Sequence, residues 1–172
     1  YELIDTGVFD GDRYFDVFAE YAKAGENDVC VRITVANRGP EAATLHVLPT
    51  LWARNTWSWG CTSDTCWDKP RLTLGKNGAI HADHASLGTY RLDFGPAPGG
   101  ALPAVLFTEN ETNTRRHHGA EPVTRYVKDA FHEYVVHGRQ DAVNAEQHGT
   151  KAAALYVIDV PAHDESVLRR RL

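Results

Sequence analysis

Trp52, Arg54, Asn55, Trp57 and Trp59 crowd flat aromatic faces, a guanidinium and an amide into one short run. Indole rings offer apolar area to the CH-rich faces of sugars, while amide and guanidinium groups can satisfy hydroxyls. The same mixture suits a protein interface, where Trp and Arg are enriched, and burial of one or two indoles in the core is the plainer alternative. A second run, Thr108-Glu109-Asn110-Glu111-Thr112-Asn113-Thr114, alternates acids and amides. Glu109, Asn110 and Asn113 could there hold a turn, a cation or a sugar, although short polar side chains more often bond their own backbone. Calcium would want an Asp-x-Asp-x-Asp-Gly frame, and none is present. In a third run, Lys128, Asp129 and His132 lie beside Glu133, so Asp129 and Glu133 at helical spacing could juxtapose two carboxylates for acid-base work. A solvated helix face explains them equally well. Glycoside hydrolysis by inversion needs carboxyl groups about 6.5–9.5 Å apart across a pocket, and nothing local supplies that arrangement.

Other chemistry finds little support. There is no Gly-x-Ser-x-Gly elbow, phosphate-binding glycine loop or His-Glu-x-x-His pair, and Cys61-x4-Cys66 lacks the second Cys or His pair of a zinc site. The residues call for neither a metal nor a cofactor. The sequon Asn110-Glu111-Thr112 has no secretory signal to accompany it, which makes the match fortuitous.

The elements that must position these groups show mainly period-two alternation, broken at short intervals by Gly, Pro, Asn and Asp, the pattern of an antiparallel sandwich. Phe15, Val17, Ala19 and Tyr21 share one face of a first strand, and Gly25-Glu26-Asn27-Asp28 turns the chain. Val29, Val31, Ile33 and Val35 make the next strand. After Asn37-Arg38-Gly39-Pro40 a return strand follows, Leu45 to Leu51, so the two read as a hairpin. Both faces of that return strand are apolar, which places it centrally, and Pro49 predicts a bulge or break. Further strands are expected at Arg71 to Leu74, Ala79 to His84, Thr89 to Phe94, Ala104 to Thr108, Ala152 to Val160 and Val167 to Leu172, the last two pairing with each other. One segment has the other period: Val127, Phe131, Tyr134 and Val135 fit a short amphipathic helix that Gly138 ends.

At 172 residues and 42% apolar content the chain is expected to form a single domain, 1–172, around one core. The net charge of -5 and a longest basic run of Arg169-Arg170-Arg171, read as a solvated strand end, leave no nucleic-acid footprint. No apolar segment reaches the roughly 18 residues of a membrane span. Three cysteines without an export signal fit a reducing, cytoplasmic setting better than a disulfide framework, though Cys61 and Cys66 could close a small loop. The chain opens on Tyr1, contains no Met, and closes inside an alternating run, as a piece of a longer polypeptide would.

Several blocks taken together carry a resemblance: Leu3 to Asp10 with Arg13 to Asp16, Leu48 to Trp52 running to Arg54 to Trp59, Thr108 to Asn113, and Tyr126 to His132. They resemble the N-terminal part of large bacterial glycoside hydrolase family 63-like proteins, the glucosidase and mannosylglycerate hydrolase-like group. The resemblance covers nearly the whole chain. It implies an antiparallel β-supersandwich of the galactose mutarotase-like kind with one short helix. It further implies a partner, the (α/α)6 domain C-terminal to it in the same polypeptide, which would hold the catalytic acid and base. No catalytic residue carries over to this sequence. Arg54, Asn55, Trp57, Trp59, Glu109, Asn110, Asn113, Lys128, Asp129 and His132 become candidates for a domain interface or the rim of a pocket for an oligosaccharide or glycoside. Cys61 to Cys66 departs from the pattern.

Overall fold

The computed structural model describes residues 1–60, 62–64 and 66–172, with Trp59 described by its backbone alone. Strand accounts for 41% of the chain against 15% helix, and the sheets are antiparallel, so the fold is mostly β and of the sandwich class. In chain order the described strands are β1 (Phe15–Gly25), β2 (Asp28–Asn37), β3 (Ala43–Val47), β4 (Thr50–Trp52), β5 (Arg71–Leu74) and β6 (Ile80–His84). They continue with β7 (Gly88–Phe94), β8 (Ala104–Thr108), β9 (His148–Gly149), β10 (Lys151–Val160) and β11 (Glu165–Arg171). Among the described residues, helices α1 (Thr114–His118) and α2 (Ala130–His137) complete the regular structure together with four 3-10 turns. Two compact units divide the chain, one of Tyr1–Val47, Asp93–Pro103 and Tyr156–Leu172, the other of Leu48–Leu92 and Ala104–Leu155.

In the first unit, β1 and β2 form a hairpin around Glu26 and Asn27, in register from Phe15 opposite Asn37 to Lys23 opposite Val29, with a bulge before Gly25. β11 lies antiparallel on the other side of β2, Leu168 facing Ile33. β3 pairs with the Tyr156–Val160 end of β10. Val31, Ile33 and Val35 alternate inward with Leu168 and Val160, each worth roughly 1.5–3 kcal/mol in burial, so a slip of one residue in β2 would be costly. Asn37 is a buried amide. Its Nδ2 donates to the carbonyls of Glu41 at 2.8 Å, Val160 at 3.1 Å and Pro161 at 3.2 Å, and its Oδ1 accepts from Gly39 N at 2.9 Å.

In the second unit, β8 and β4 both pair with the start of β10, while β5 sits between β6 and β9 and β6 pairs with β7. Leu106 of β8, Ala153 of β10 and Phe131 of α2 form a buried core against which Leu48, Tyr134, Val143 and Leu155 pack. α2 begins at Ala130 and is closed by Gly138 in the left-handed region at φ 65, as the period and the glycine predicted.

Several expectations are corrected. β2 does not pair with β3: its neighbours are β1 and β11, because the tight Glu26-Asn27 turn closes the local hairpin and leaves Arg38 to Ala42 as a crossing loop. The chain does break at Leu48-Pro49, but β3 is not central. Among the described residues it pairs with β10 alone, and Thr44 and His46 are exposed. β10 and β11 do not pair with each other: β10 takes β3, β4 and β8, and β11 has β2 and the Asp93–Phe94 end of β7 as its neighbours. The apolar face of β1 is not covered: Val17 is 57% and Tyr21 72% exposed. His117 and His118 end the short helix α1. Arg171 is not simply solvated, because its Nε donates to Asp28 Oδ1 at 2.7 Å and the Asp28 carboxylate holds its pKa above the ordinary arginine value. Cys30 is free and Cys66 is disulfide-bonded, contrary to a fully reduced set; Cys61 lies outside the described residues. Among the described residues no helix is long and apolar enough to cross a membrane.

Candidate functional site

The three runs singled out by their chemistry meet in the second unit. After β4, Asn55 folds the chain locally: its Oδ1 accepts from Ser58 N at 3.2 Å and Ser58 Oγ at 2.8 Å, setting up the 3-10 turn Trp57–Trp59 that Gly60 ends at φ 63. The other side of the same amide reaches the second run. Asn55 Nδ2 donates to Asn110 O at 2.8 Å and Glu111 Oε2 at 2.9 Å, and Trp57 Nε1 donates to Glu111 Oε1 at 2.5 Å. Asn110 returns the connection by donating from Nδ2 to Ala53 O at 3.0 Å. Glu111 is therefore a buried carboxylate with each oxygen engaged by a neutral donor.

The third run joins through the backbone and through Asp129. Lys128 N donates to Glu111 O at 2.9 Å, and Thr108 Oγ1 donates to Val127 O at 2.8 Å. Asn113 caps α1 by accepting from Arg116 N at 3.1 Å, and its Nδ2 donates to both Asp129 oxygens at 3.2 and 3.1 Å. Arg116 Nη1 adds an ion pair to Asp129 at 3.2 Å. Glu109 points elsewhere, to Thr150 Oγ1 at 2.7 Å and Lys69 Nζ at 3.0 Å.

Of the sequence candidates, Asn55, Trp57, Asn110, Asn113 and Asp129 form this connected network, with Lys128 in it through its backbone. Arg54 and His132 are exposed; the His132 ring makes an edge contact with His137 at 5.4 Å and does not enter it. The side chain of Trp59 lies outside the description. Asp129 and Glu133 are not a free carboxylate pair, because Asp129 precedes α2 and holds Arg116 while Glu133 faces Arg139 at 3.5 Å. Buried Asn110, with its Nδ2 on Ala53 O, is no acceptor for a glycan.

Sequence reasoning passed over Glu111, Arg116, Thr150 and Lys151. Lys151 is the least ordinary of these. Its Nζ donates to Lys128 O at 2.6 Å and lies 5.1 Å from the Phe131 ring centre. Burial pushes its ammonium below the usual lysine range, Lys128 adds to the shift, and Asp129 opposes it. No local period flags such a residue, since it is defined by what lies across β10.

Beside the network opens a cleft of about 570 Å³ that Asn113 and Asp129 border. Arg115, Arg116, Arg125 and Arg139 line it with Glu121, Asp129, Glu133 and Asp141, so opposite charges balance. Pro122, Val123 and Val127 add apolar surface. Balanced charges with apolar patches offer donors and acceptors without a net charge, a lining suited to a neutral, hydroxyl-rich ligand or to a polar protein surface. Among the described residues no group of three or more His, Cys, Asp or Glu could hold a metal ion.

No family model and no solved structure matches the chain. An uncharacterized protein of Saccharomyces cerevisiae, YMR196W, is 38% identical over 165 residues. The match takes in 83% of this chain but 15% of that protein, so the chain spans a small part of the relative's length.

Proposed function

We propose that this chain is the non-catalytic N-terminal β-sandwich domain of a glycoside hydrolase family 63-like enzyme. In this reading it supports a C-terminal (α/α)6 catalytic domain of the same polypeptide and shapes the rim of its sugar pocket. What supports the proposal is the convergence of the blocks that carry the resemblance: Asn55 and Trp57, Asn110 and Glu111, and Lys128 are hydrogen-bonded into one network although far apart in sequence. The acids there are committed to structural partners, Glu111 to Asn55 and Trp57, Asp129 to Asn113 and Arg116, Glu109 to Thr150 and Lys69. A general acid or base needs a lone pair or proton aimed at substrate, and this network instead fixes a surface. The match to a small part of a much longer relative fits a domain within a larger protein.

The test compares this 172-residue chain with the complete product of its gene on aryl glucosides and mannosylglycerate. Turnover by the complete product and none by the chain alone is expected. Turnover by the chain alone, or a reading frame ending at Leu172, would overturn the proposal. The cytoplasm goes with this reading as its compartment, and the disulfide at Cys66 weighs against it. Alkylation of thiols in freshly lysed cells decides it: a Cys66 that takes the label keeps the compartment, and an intact disulfide there removes it from the proposal.

A second reading, an autonomous carbohydrate-binding module, draws on Trp52 at 56% and Trp67 at 40% exposure. Trp57 serves it less well, with its indole N–H already given to Glu111. Oligosaccharide titration followed by tryptophan fluorescence separates the two: a saturable change abolished by Trp52→Ala selects the module, and no response at millimolar sugar removes it.

A further inference from the structure

The first unit ends in an exposed edge strand. β1 is eleven residues long and, among the described residues, pairs only with β2. Long, apolar edges are usually shortened, bulged or charged, because their free N–H and C=O groups template pairing with another chain. Here Val17 is 57%, Phe18 51% and Tyr21 72% exposed, and Lys23 is the only lysine on the strand.

The hydrogen bonds of β2 reveal which groups of β1 are free. Val29 exchanges both of its backbone bonds with Leu172, and Asn37 N donates to Asp164 O, so the odd residues of β2 face β11. The even residues therefore face β1, as Arg38 N donating to Tyr14 O confirms. Their partners on β1 are Asp16, Phe18, Glu20 and Ala22. Phe15, Val17, Ala19, Tyr21 and Lys23 are left with N–H and C=O aimed away from the sheet.

We infer that a second copy of this chain pairs antiparallel along β1, across a two-fold axis at Ala19. Symmetry requires that residues of like parity face each other, so the register can shift only by steps that keep the sum of facing numbers even. With the axis at Ala19, Val17 faces Tyr21 and Phe15 faces Lys23, a β-branched–aromatic and a cation–aromatic pair. On the other face Asp16 meets Ala22 and Phe18 meets Glu20. Moving the axis to Phe18 sets Asp16 against Glu20, and moving it to Glu20 sets Glu20 against its own copy; like charges directly opposite are destabilising. Asp16 and Glu20 are held by Arg38 and Arg32, both at 2.7 Å, and cannot turn aside without breaking those pairs. Charge thus excludes the registers on either side, and the axis at Ala19 pairs Phe15 to Lys23 in full, clear of the bulge before Gly25, with the most continuous apolar face. The inference does not depend on the proposed function.

Sedimentation of the 172-residue chain over rising concentration, with amide exchange read residue by residue, tests it. Dimers should form, and with them the amides of Val17, Ala19 and Tyr21 should slow by about tenfold or more while Phe18, Glu20 and Ala22, already bonded to β2, should not change. Ala19→Pro removes an outward N–H without touching the β2 ladder and should return the chain to monomer. Val17→Glu, which meets no β2 donor, should weaken association at least about tenfold and serves should the proline variant not fold. A monomer at every concentration overturns the inference. So does a dimer in which odd and even amides slow alike or not at all, the result expected if association uses another surface.

Discussion

Glu111 is the side chain on which the candidate site turns. Replacing it with Ala leaves the Trp57 indole N–H and one of the two Asn55 amide N–H groups without an acceptor in a half-buried setting, the other still held by Asn110 O, at about 1–3 kcal/mol for each unpaired donor. Glu111→Ala should lower the thermal midpoint and red-shift tryptophan emission, and an unchanged midpoint would show that the network contributes nothing to the fold. Tyr156 tests a different site by pH. Burial holds its phenol above the usual tyrosine range, and its hydroxyl donates to Gly95 O at 2.7 Å. A raised folded-state pKa gives stability that is complete below the unfolded value, about 10, and is lost as pH climbs through the folded one. Tyr156→Phe should therefore cost about 1 kcal/mol at neutral pH and flatten the alkaline loss of stability, read by denaturant melts between pH 8 and pH 11. At this scale the sequence disclosed Asn55, Trp57, Asn110, Asn113 and Asp129 through composition and spacing. It hid Glu111 and Lys151, because burial of an acid or a lysine is decided by strands and loops remote in the chain.

Among the elements, β9 is short yet closely fitted. A Cβ on Gly149 would stand 2.3 Å from Thr108 O and 3.0 Å from its carbonyl carbon, both backbone atoms of β8. Gly149→Ala must separate β8 from β9 or bend one of them, and a loss of about 1–3 kcal/mol in a urea melt is expected. An unaltered melt would mean that the two strands yield freely. Strand positions were largely legible, since β5 and β8 fall on their expected residues and α2 ends at the expected glycine. Pairing was not. The alternation of β2 says that one face is buried but not which strand lies beside it, and the Arg38 to Ala42 loop was read as a hairpin turn because Asn-Arg-Gly-Pro has turn chemistry whether or not the flanking strands meet.

For the whole molecule, the proposed function places activity in what the chain would support. The proposal expects hydrolysis only from the complete gene product, and the β1 edge expects self-association with an alternating exchange signature. A longer piece of sequence would make the first legible and an alignment of composition would not make the second so, because an edge is known only once every other strand has found its neighbour. The order of segments carries one more consequence. Leu48–Leu92 and Ala104–Leu155 complete the second unit, whereas the first waits for Tyr156–Leu172. On a ribosome the inner unit can mature while the opening hairpin stands by with the inner edge of β2 bare, until β11 emerges and Asn37 clasps the carbonyls of Val160 and Pro161. Translation stalled with β10 emerged but β11 not yet free should thus yield nascent chains that bind chaperones through residues of β2, although the second unit is already native.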